Sequence, residues 1–429
     1  MQFKMRPLGE FVSLVSGNTP SKSNPSYWGG VTPWVSAKDM GDFWIEDTED
    51  HLTESGVSVA SRLVPPGTVL LLTRGMTLHK RVPICRVARA STFNQDVKAV
   101  LPKNGLLARF LPYLLVGNHN RLHERVDSAG HGTGRLNTDS LLSVPVYVPS
   151  LSEQDSIAGL GEAIDCRLRL LRQTNATLES IAQTLFKSWF IDFDPVRAKA
   201  EGREPEGMDG ETAALFPDSF EVSALGEIPT GWRIGKLSDV AWNPRSPAKP
   251  GQMPASTPYI GLEHMPRKSI ALDNMGTAEG LESGKFWFEF RDILFGKLRP
   301  YFHKVGIAPC KGVCSTDILV IRPREMNWLG YVAMHASSDE LIAHTTRLSN
   351  GARMPRTSWH DVGAYTVVLP DECCVKAFND ILNPLFDRIF ANMGAMDCLA
   401  CLRDALLPRL ISGKLRILEA EAQLNEAVA

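Results

Sequence analysis

No stretch of this 429-residue chain is apolar for long enough to span a membrane. The opening residues, MQFKMRPLGE, lack the apolar segment of a secretory signal, so the expected compartment is the cytoplasm. No GxxxxGKS or GxxxxGKT stretch is present to cradle nucleotide phosphates. No Asn-Pro-Pro-aromatic or Asp-Pro-Pro-aromatic tetrapeptide occurs either; WNPRSP (242–247) and DFDPV (192–196) both lack the second proline. Of the eight cysteines only Cys398 and Cys401 have a metal-like spacing, and no second CxxC or histidine pair accompanies them, so reduced thiols are expected rather than zinc. Asp192 and Asp194 read as an acidic helix end rather than a metal pair. Scattered serines and histidines make no catalytic triad without geometry.

What is present is a folded, mixed composition: 44% hydrophobic and 22% charged residues, enough for two or more domains. The net charge is −2, but its distribution is uneven. Residues 1–149 hold 16 Lys and Arg against 12 Asp and Glu, and residues 221–370 hold 17 against 14. The rest of the chain holds 13 against 22. Two mildly basic segments therefore alternate with two acidic ones.

That alternation accompanies an internal repeat. FNQDVKAVLP (93–102) matches CSTDILVIRP (314–323), with Asp96 on Asp317 and Pro102 on Pro323, an offset of 221. The same offset carries Gly130 to Gly351, Arg135 to Arg356, Pro149 to Pro370 and Leu185 to Leu406. β-like runs punctuated by Gly and Pro, such as GTVLLLT (67–73), SVPVYVP (143–149), DILFGKL (292–298) and AYTVVLP (364–370), give each half a mixed α/β domain.

Each domain is followed by a helical seam with gaps of three or four. The first runs Ile157, Leu160, Ile164, Leu168, Leu171, Asn175, Leu178, Ala182, Leu185, Trp189. Its counterpart runs Phe378, Ile381, Leu385, Ile389, Asn392, Met396, Leu399, Arg403, Leu406, Leu410. Two equivalent seams in one chain suggest helices that pack on each other. Asn175 and Asn392 either fix their register or point to the rim. Pro384 predicts a start near Asn383 or a kink there. Residues 194–220 read as a polar linker or a partly ordered connection.

IAQTLFKSWFIDFDPV (181–196), SGNTPSKSNPSYWGGVTPWVSAKDM (16–40), LGEIPTGWRIGKLSDV (225–240) and LRDALLPRLISGKLRI (402–417) together resemble the specificity subunits of type I restriction–modification systems. The resemblance covers essentially the whole chain; residues 241–290 match only in pattern. It implies an α/β fold of two similar target-recognition domains, 1–149 and 221–370. These are joined by two long antiparallel coiled-coil helices, 150–193 and 371–429, with pseudo-two-fold symmetry and the linker 194–220. It implies a subunit without chemistry or cofactor of its own, in which each domain reads half of a bipartite, asymmetric site in double-stranded DNA. The helices would act as a ruler for the unread gap; one of about 40 residues spans roughly 60 Å. The implied partners are two methyltransferase subunits carrying S-adenosylmethionine and two restriction subunits using ATP and Mg. The alternative is a self-contained DNA-modifying enzyme, or an adaptor paralogue on the same scaffold.

A DNA reader needs basic and hydrogen-bonding side chains on its loops. In the first domain the candidates are Ser21, Lys22, Ser36, Lys38, Arg74, His79, Lys80 and, in GHGTGRLN (130–137), Arg135. In the second they are Arg245, Lys249, Arg267, Lys268, Lys297, Arg299, His303, Lys304, Arg353 and Arg356. Arg135 and Arg356, being repeat-equivalent, have a structural role as the alternative. Phe186, Trp189, Phe190 and Phe193 are assigned as a docking face for a methyltransferase subunit, with burial at the junction of helix and domain as the rival reading.

Overall fold

The computed structural model describes residues 4–60, 62–129, 133–349, 351 and 353–428. They fall in two compact units, residues 1–168 with 398–429 and residues 169–397. Each unit combines one mixed α/β domain with stretches of two 40-residue helices, Leu151–Phe190 and Glu372–Ile411.

Among the described residues the first domain is built on a sheet ordered Val12–Ser16, Val97–Pro102, Val69–Leu72, Ile84–Val87, Trp44–Ile45. Val69–Leu72 is buried along its whole length, as a continuous apolar run in a central strand should be. The second domain repeats the order with Ala241–Trp242, Ile318–Pro323, Ile293–Gly296 and Val305–Ile307. In both, a further strand runs parallel to a short partner: Trp28–Val35 to Thr92–Phe93, and Pro258–Ile260 to Gly312–Cys314. The offset of 221 carries Val97–Pro102 to Ile318–Pro323, Thr138–Leu142 to Trp359–Gly363, and one long helix to the other. The halves diverge between Trp242 and Phe288, where the second domain inserts the strands Pro247–Ala248 and Lys285–Phe288.

The first long helix begins at a capping box, with the Ser150 hydroxyl and amide both donating to the Glu153 carboxylate. Its buried stripe follows the expected seam to Asn175 and then shifts. Glu179 and Phe186 are buried where Leu178 and Leu185 were expected. On the second helix Leu382 and Phe386 replace Ile381 and Leu385. An α-helix drifts about 20° per heptad against a 3.5-residue repeat, so over a few turns the buried position moves by one. The helices run antiparallel: Asp165 faces Arg403 in the first unit, and Asn175 faces Asn392 in the second. The asparagines lie in the seam, not at its rim.

Two expectations are corrected. The second helix does not start near Asn383; it runs from Glu372 through Pro384 to Ile411. Pro384 is exposed, so water can satisfy the carbonyl it leaves unpaired, and buried Leu382 and Phe386 hold the turns around it. Residues 194–220 are more than a polar linker: they form the helices Asp194–Ala200 and Gly210–Ala214, with Val196, Ala198 and Phe216 buried. The Lys199 ammonium donates to the carbonyls of Ala213 and Phe216.

The aromatic quartet also needs correcting. Phe186, Trp189, Phe190 and Phe193 are 5%, 3%, 2% and 7% exposed, so they offer no face to a partner. Phe186 meets His335 at 4.7 Å, Phe190 meets Phe378 at 4.9 Å and Tyr331 at 5.2 Å, and Trp189 meets Phe216 at 5.0 Å between ring centroids. Phe193, the N-cap of the following helix Asp194–Ala200, is left-handed, φ 57°, and packs on Trp232. The quartet plugs the junction between the first long helix and the second domain, where large apolar rings gain most from leaving water. Glu179 ties the same helix to the domain, accepting from the Ser269 hydroxyl at 2.8 Å and the Ile270 and Ala271 amides at 3.1 and 3.2 Å. Burial pushes its carboxyl above the usual range, against the pull of those bonds.

The first domain is seated differently. The Tyr113 hydroxyl donates to Asp165 at 2.6 Å, and Arg403 donates to the other oxygen of that carboxylate at 3.2 Å. Arg109 clamps Asp155 and Glu162 at 2.7 and 2.6 Å. Gly161 lets the Tyr113 ring lie against the helix; a Cβ there would sit 2.5 Å from it.

His335 carries a pH dependence. It is buried among Phe186, Tyr331 and Tyr365, and burial depresses its imidazole to about 3. The unfolded chain protonates this group below about pH 6.5, whereas the folded chain cannot until about 3. Its contribution is therefore whole above pH 6.5 and falls by about 1.4 kcal/mol per pH unit as pH drops through that window. Urea midpoints at pH 7.5, 6.0 and 5.0 should fall steadily, and His335→Leu should flatten the slope. Equal slopes for wild type and variant would count against this.

Candidate nucleic-acid interface

In the first domain Thr133–Leu136 pairs antiparallel with Val126–Ala129 on one side and Arg74–Gly75 on the other. Arg135 therefore sits in a strand rather than a Gly-rich loop, directly opposite Arg74; Gly130, His131 and Gly132 lie outside the described residues. Both arginines are exposed. Like charges directly opposite on a sheet repel, and a bound anion removes the penalty. Arg74 leads into the turn Met76–His79, which brings His79 and Lys80 to the same edge.

The second domain makes the equivalent pairing. Leu298 bridges Arg356, the Arg299 amide donates to the Pro355 carbonyl at 2.7 Å, and the Thr357 amide donates to Lys297 at 3.0 Å. This zips the 297–299 segment to 355–357, with Arg353 exposed beside it. Arg299 reaches the Arg353 carbonyl at 3.3 Å, and Arg356 is anchored to Asp317 at 3.1 Å, two residues that the repeat had already singled out. Lys297 and Arg245 share a cavity of about 320 Å³ with Asn243, Thr357 and Trp359. Lys249 is exposed on the turn that follows Pro247–Ala248.

Strain marks this domain. Arg245, Lys268, Arg299 and His303 adopt positive φ of 42°, 53°, 53° and 50°. A non-glycine residue held there costs about 1–3 kcal/mol, and such strain concentrates at functional sites.

Several candidates are committed inside the protein. The buried Ser36 hydroxyl donates to Asp39 at 2.7 Å. His303 is buried with Nε2 2.8 Å from the Ser337 carbonyl, and the Lys304 ammonium donates to the Leu262 carbonyl at 2.6 Å. Burial, with Arg267 nearby, pulls the Lys304 ammonium below its ordinary value. These three are withdrawn as contact residues, because their polar atoms already serve the fold. Lys38 pairs with Glu49 and Asp50 at 3.2 and 3.1 Å, and Lys268 with Asp339 at 3.1 Å. Lys22 lies over the rings of Trp28 and Trp34, the Ser21 hydroxyl is 2.8 Å from that of Ser23, and Arg267 stacks on Phe302. These pairs and stacks are surface arrangements that a phosphate can displace.

Three residues at the same edges escaped sequence reasoning. Met76, Met354 and Tyr301 are 64%, 49% and 50% exposed. Each has basic residues within three or four positions, and that flanking was the available signal.

Two copies of one mixed domain, each with arginines on a paired strand edge and each followed by a matched 40-residue helix, define a duplicated binding scaffold. Among the described residues no group of three or more His, Cys, Asp or Glu could hold a metal ion, and no helix is long and apolar enough to cross a membrane. The cysteines are free, with Cys398 and Cys401 exposed; burial pushes the thiols of Cys85, Cys314 and Cys374 up to about 12. Asp192 pairs with Lys187, and Asp194 opens a helix.

A family model described as the type I restriction modification DNA specificity domain matches residues 2–180. The chain is 27% identical over 432 residues to the type I restriction enzyme MjaIX specificity subunit of Methanocaldococcus jannaschii, covering 97% of this chain and 93% of that one. It is 24% identical to the HindI specificity subunit of Haemophilus influenzae, covering 73% and 78%. A crystal structure of the S subunit from M. genitalium aligns over 95% of both chains with a TM-score of 0.48 and 13% identity. The chain is thus similar over nearly its whole length to a specificity subunit of a type I restriction–modification system, and over residues 2–180 to the DNA specificity domain of such systems.

Proposed function

We propose that each domain reads one half of a bipartite, asymmetric site in double-stranded DNA, through the strand edge that carries Arg74 and Arg135 in the first domain and Arg299, Arg353 and Arg356 in the second. The observation that carries this is the repeated pairing itself: Arg135 opposite Arg74, and Arg356 opposite Leu298, at equivalent places in two copies of one fold. Phosphate contacts by Lys22, Lys38, Lys80, Lys249 and Lys268 set the register, and arginines at the strand edges match guanine bidentately. Arg245 and Lys297 line one cavity and act together. The two helices set the length of the unread gap. The chain binds no cofactor of its own; two methyltransferase subunits supply S-adenosylmethionine and two restriction subunits supply ATP and Mg, in the cytoplasm.

The test is a salt titration of DNA binding by the complex of this chain with its methyltransferase subunits. Lys22→Ala/Lys80→Ala should weaken binding and reduce the slope of log K against log salt by about 2, whereas Arg74→Ala/Arg135→Ala should relax the base preference of one half-site. An unchanged slope would place the phosphate contacts elsewhere.

A further inference from the structure

The repeat that relates the two long helices also shows where they differ. Asn392 donates to Asn175 across the seam at 2.7 Å, with the residues 2% and 4% exposed. Asp165, itself 4% exposed, takes Arg403 at 3.2 Å. At the positions that the offset of 221 makes equivalent, Asn175 becomes Met396, Asn392 becomes Leu171, Asp165 becomes Phe386 and Arg403 becomes Ala182. All four replacements are buried and apolar. The seam is therefore duplicated in shape but not in polarity.

This has a consequence for which helices fit together. Suppose the first helix packed in the same register against a second copy of itself. Asn175 would meet Leu171 and Asp165 would meet Ala182, once in each copy. Suppose instead that the second helix met its own copy. Asn392 would meet Met396, and Arg403 would meet Phe386. Every such pairing removes the partner across the seam: Asn175 and Asn392 lose each other, Asp165 keeps Tyr113 and Arg403 keeps Asp404, and a buried polar group left short of partners carries a desolvation penalty. Only the first helix against the second gives each of the four side chains a polar partner across the seam.

We propose that the seam of each half is an interaction surface whose one fitting partner is the seam of the other half, and that it rejects a second copy of the same half. The polar rungs act as a key against homotypic assembly more than as a source of stability. The inference is independent of what the domains bind.

The test uses the intact chain. Asn392→Leu places opposite Asn175 the residue that a homotypic pair would supply, and Asn175→Met does the reverse. Each single change should lower the thermal midpoint by about 2–8 °C. The double variant rebuilds the apolar rung that the repeat already contains at Leu171 and Met396, so it should recover to wild type or above. To read specificity, the folded full chain is cut at a protease site placed in residues 203–208. Two differently tagged preparations are then mixed in mild denaturant and refolded. Wild-type halves should re-pair first with second only, and the double variant should raise homotypic pairs at least tenfold. Single variants as stable as wild type, or wild-type halves pairing at random, would overturn the proposal. If the cut halves do not re-pair at all, the thermal cycle decides alone.

Discussion

Truncating Phe190 to alanine is expected to cost about 3–5 kcal/mol and to unfold the unit of residues 169–397 before the rest of the chain. The ring is 2% exposed and touches Phe186, Trp189, Tyr331, Phe378 and Trp232. Removing it forfeits both the transfer energy of a buried aromatic and the contacts of several rigid rings that cannot collapse into the hole. Ile181, on the same helix and 48% exposed, is the control: Ile181→Ala should stay within about 0.5 kcal/mol. Urea unfolding followed by limited proteolysis measures both. If Phe190→Ala left stability intact but abolished binding of a methyltransferase subunit, the ring would be a docking residue after all, against its burial.

Adding one heptad to each long helix should lengthen the unread gap by about three base pairs. Seven residues add about 10 Å to an α-helix, and successive base pairs rise 3.4 Å. A heptad is the insertion that best keeps the buried stripe facing its partner, since it rotates the helix by only about 20°. A four-residue insertion advances the helix by about 6 Å and turns it about 40° past a full turn, so it should cost stability as well as shift the gap. The readout is the spacing between methylated adenines in DNA from cells that express the complete system with the lengthened chain. An unchanged spacing would mean that the helices do not set the distance.

Much of the architecture was readable from the chain. The repeat surfaced through Asp96 and Asp317, Pro102 and Pro323, and the structure places those prolines at the ends of equivalent strands. The long helices surfaced through seam residues spaced three or four apart. What failed has physical causes. The seam assignments slipped at Leu178, Leu185, Ile381 and Leu385 because a 3.5-residue template cannot follow a 3.6-residue helix indefinitely. The helices Leu111–Gly117 and Leu329–Ala336 went unread because they are buried on nearly every side, and an all-round apolar helix shows no periodicity. The aromatic quartet shows that a run of rings reports burial without saying against what. Ser36, His303 and Lys304 looked like contact residues because their partners were not visible in the local pattern; two of them bond to carbonyls far along the chain. Arg74 and Arg135 look unrelated in sequence, and only strand pairing makes them neighbours.

The central claim is that two equivalent domains read two separate half-sites. Mapping methylated adenines in cells that express the complete system tests it most directly, first with this chain and then with residues 1–149 replaced by the first domain of a relative. The account predicts that one half of the methylated sequence changes while the other half and the spacing stay the same. A change in both halves, or in neither, would contradict it.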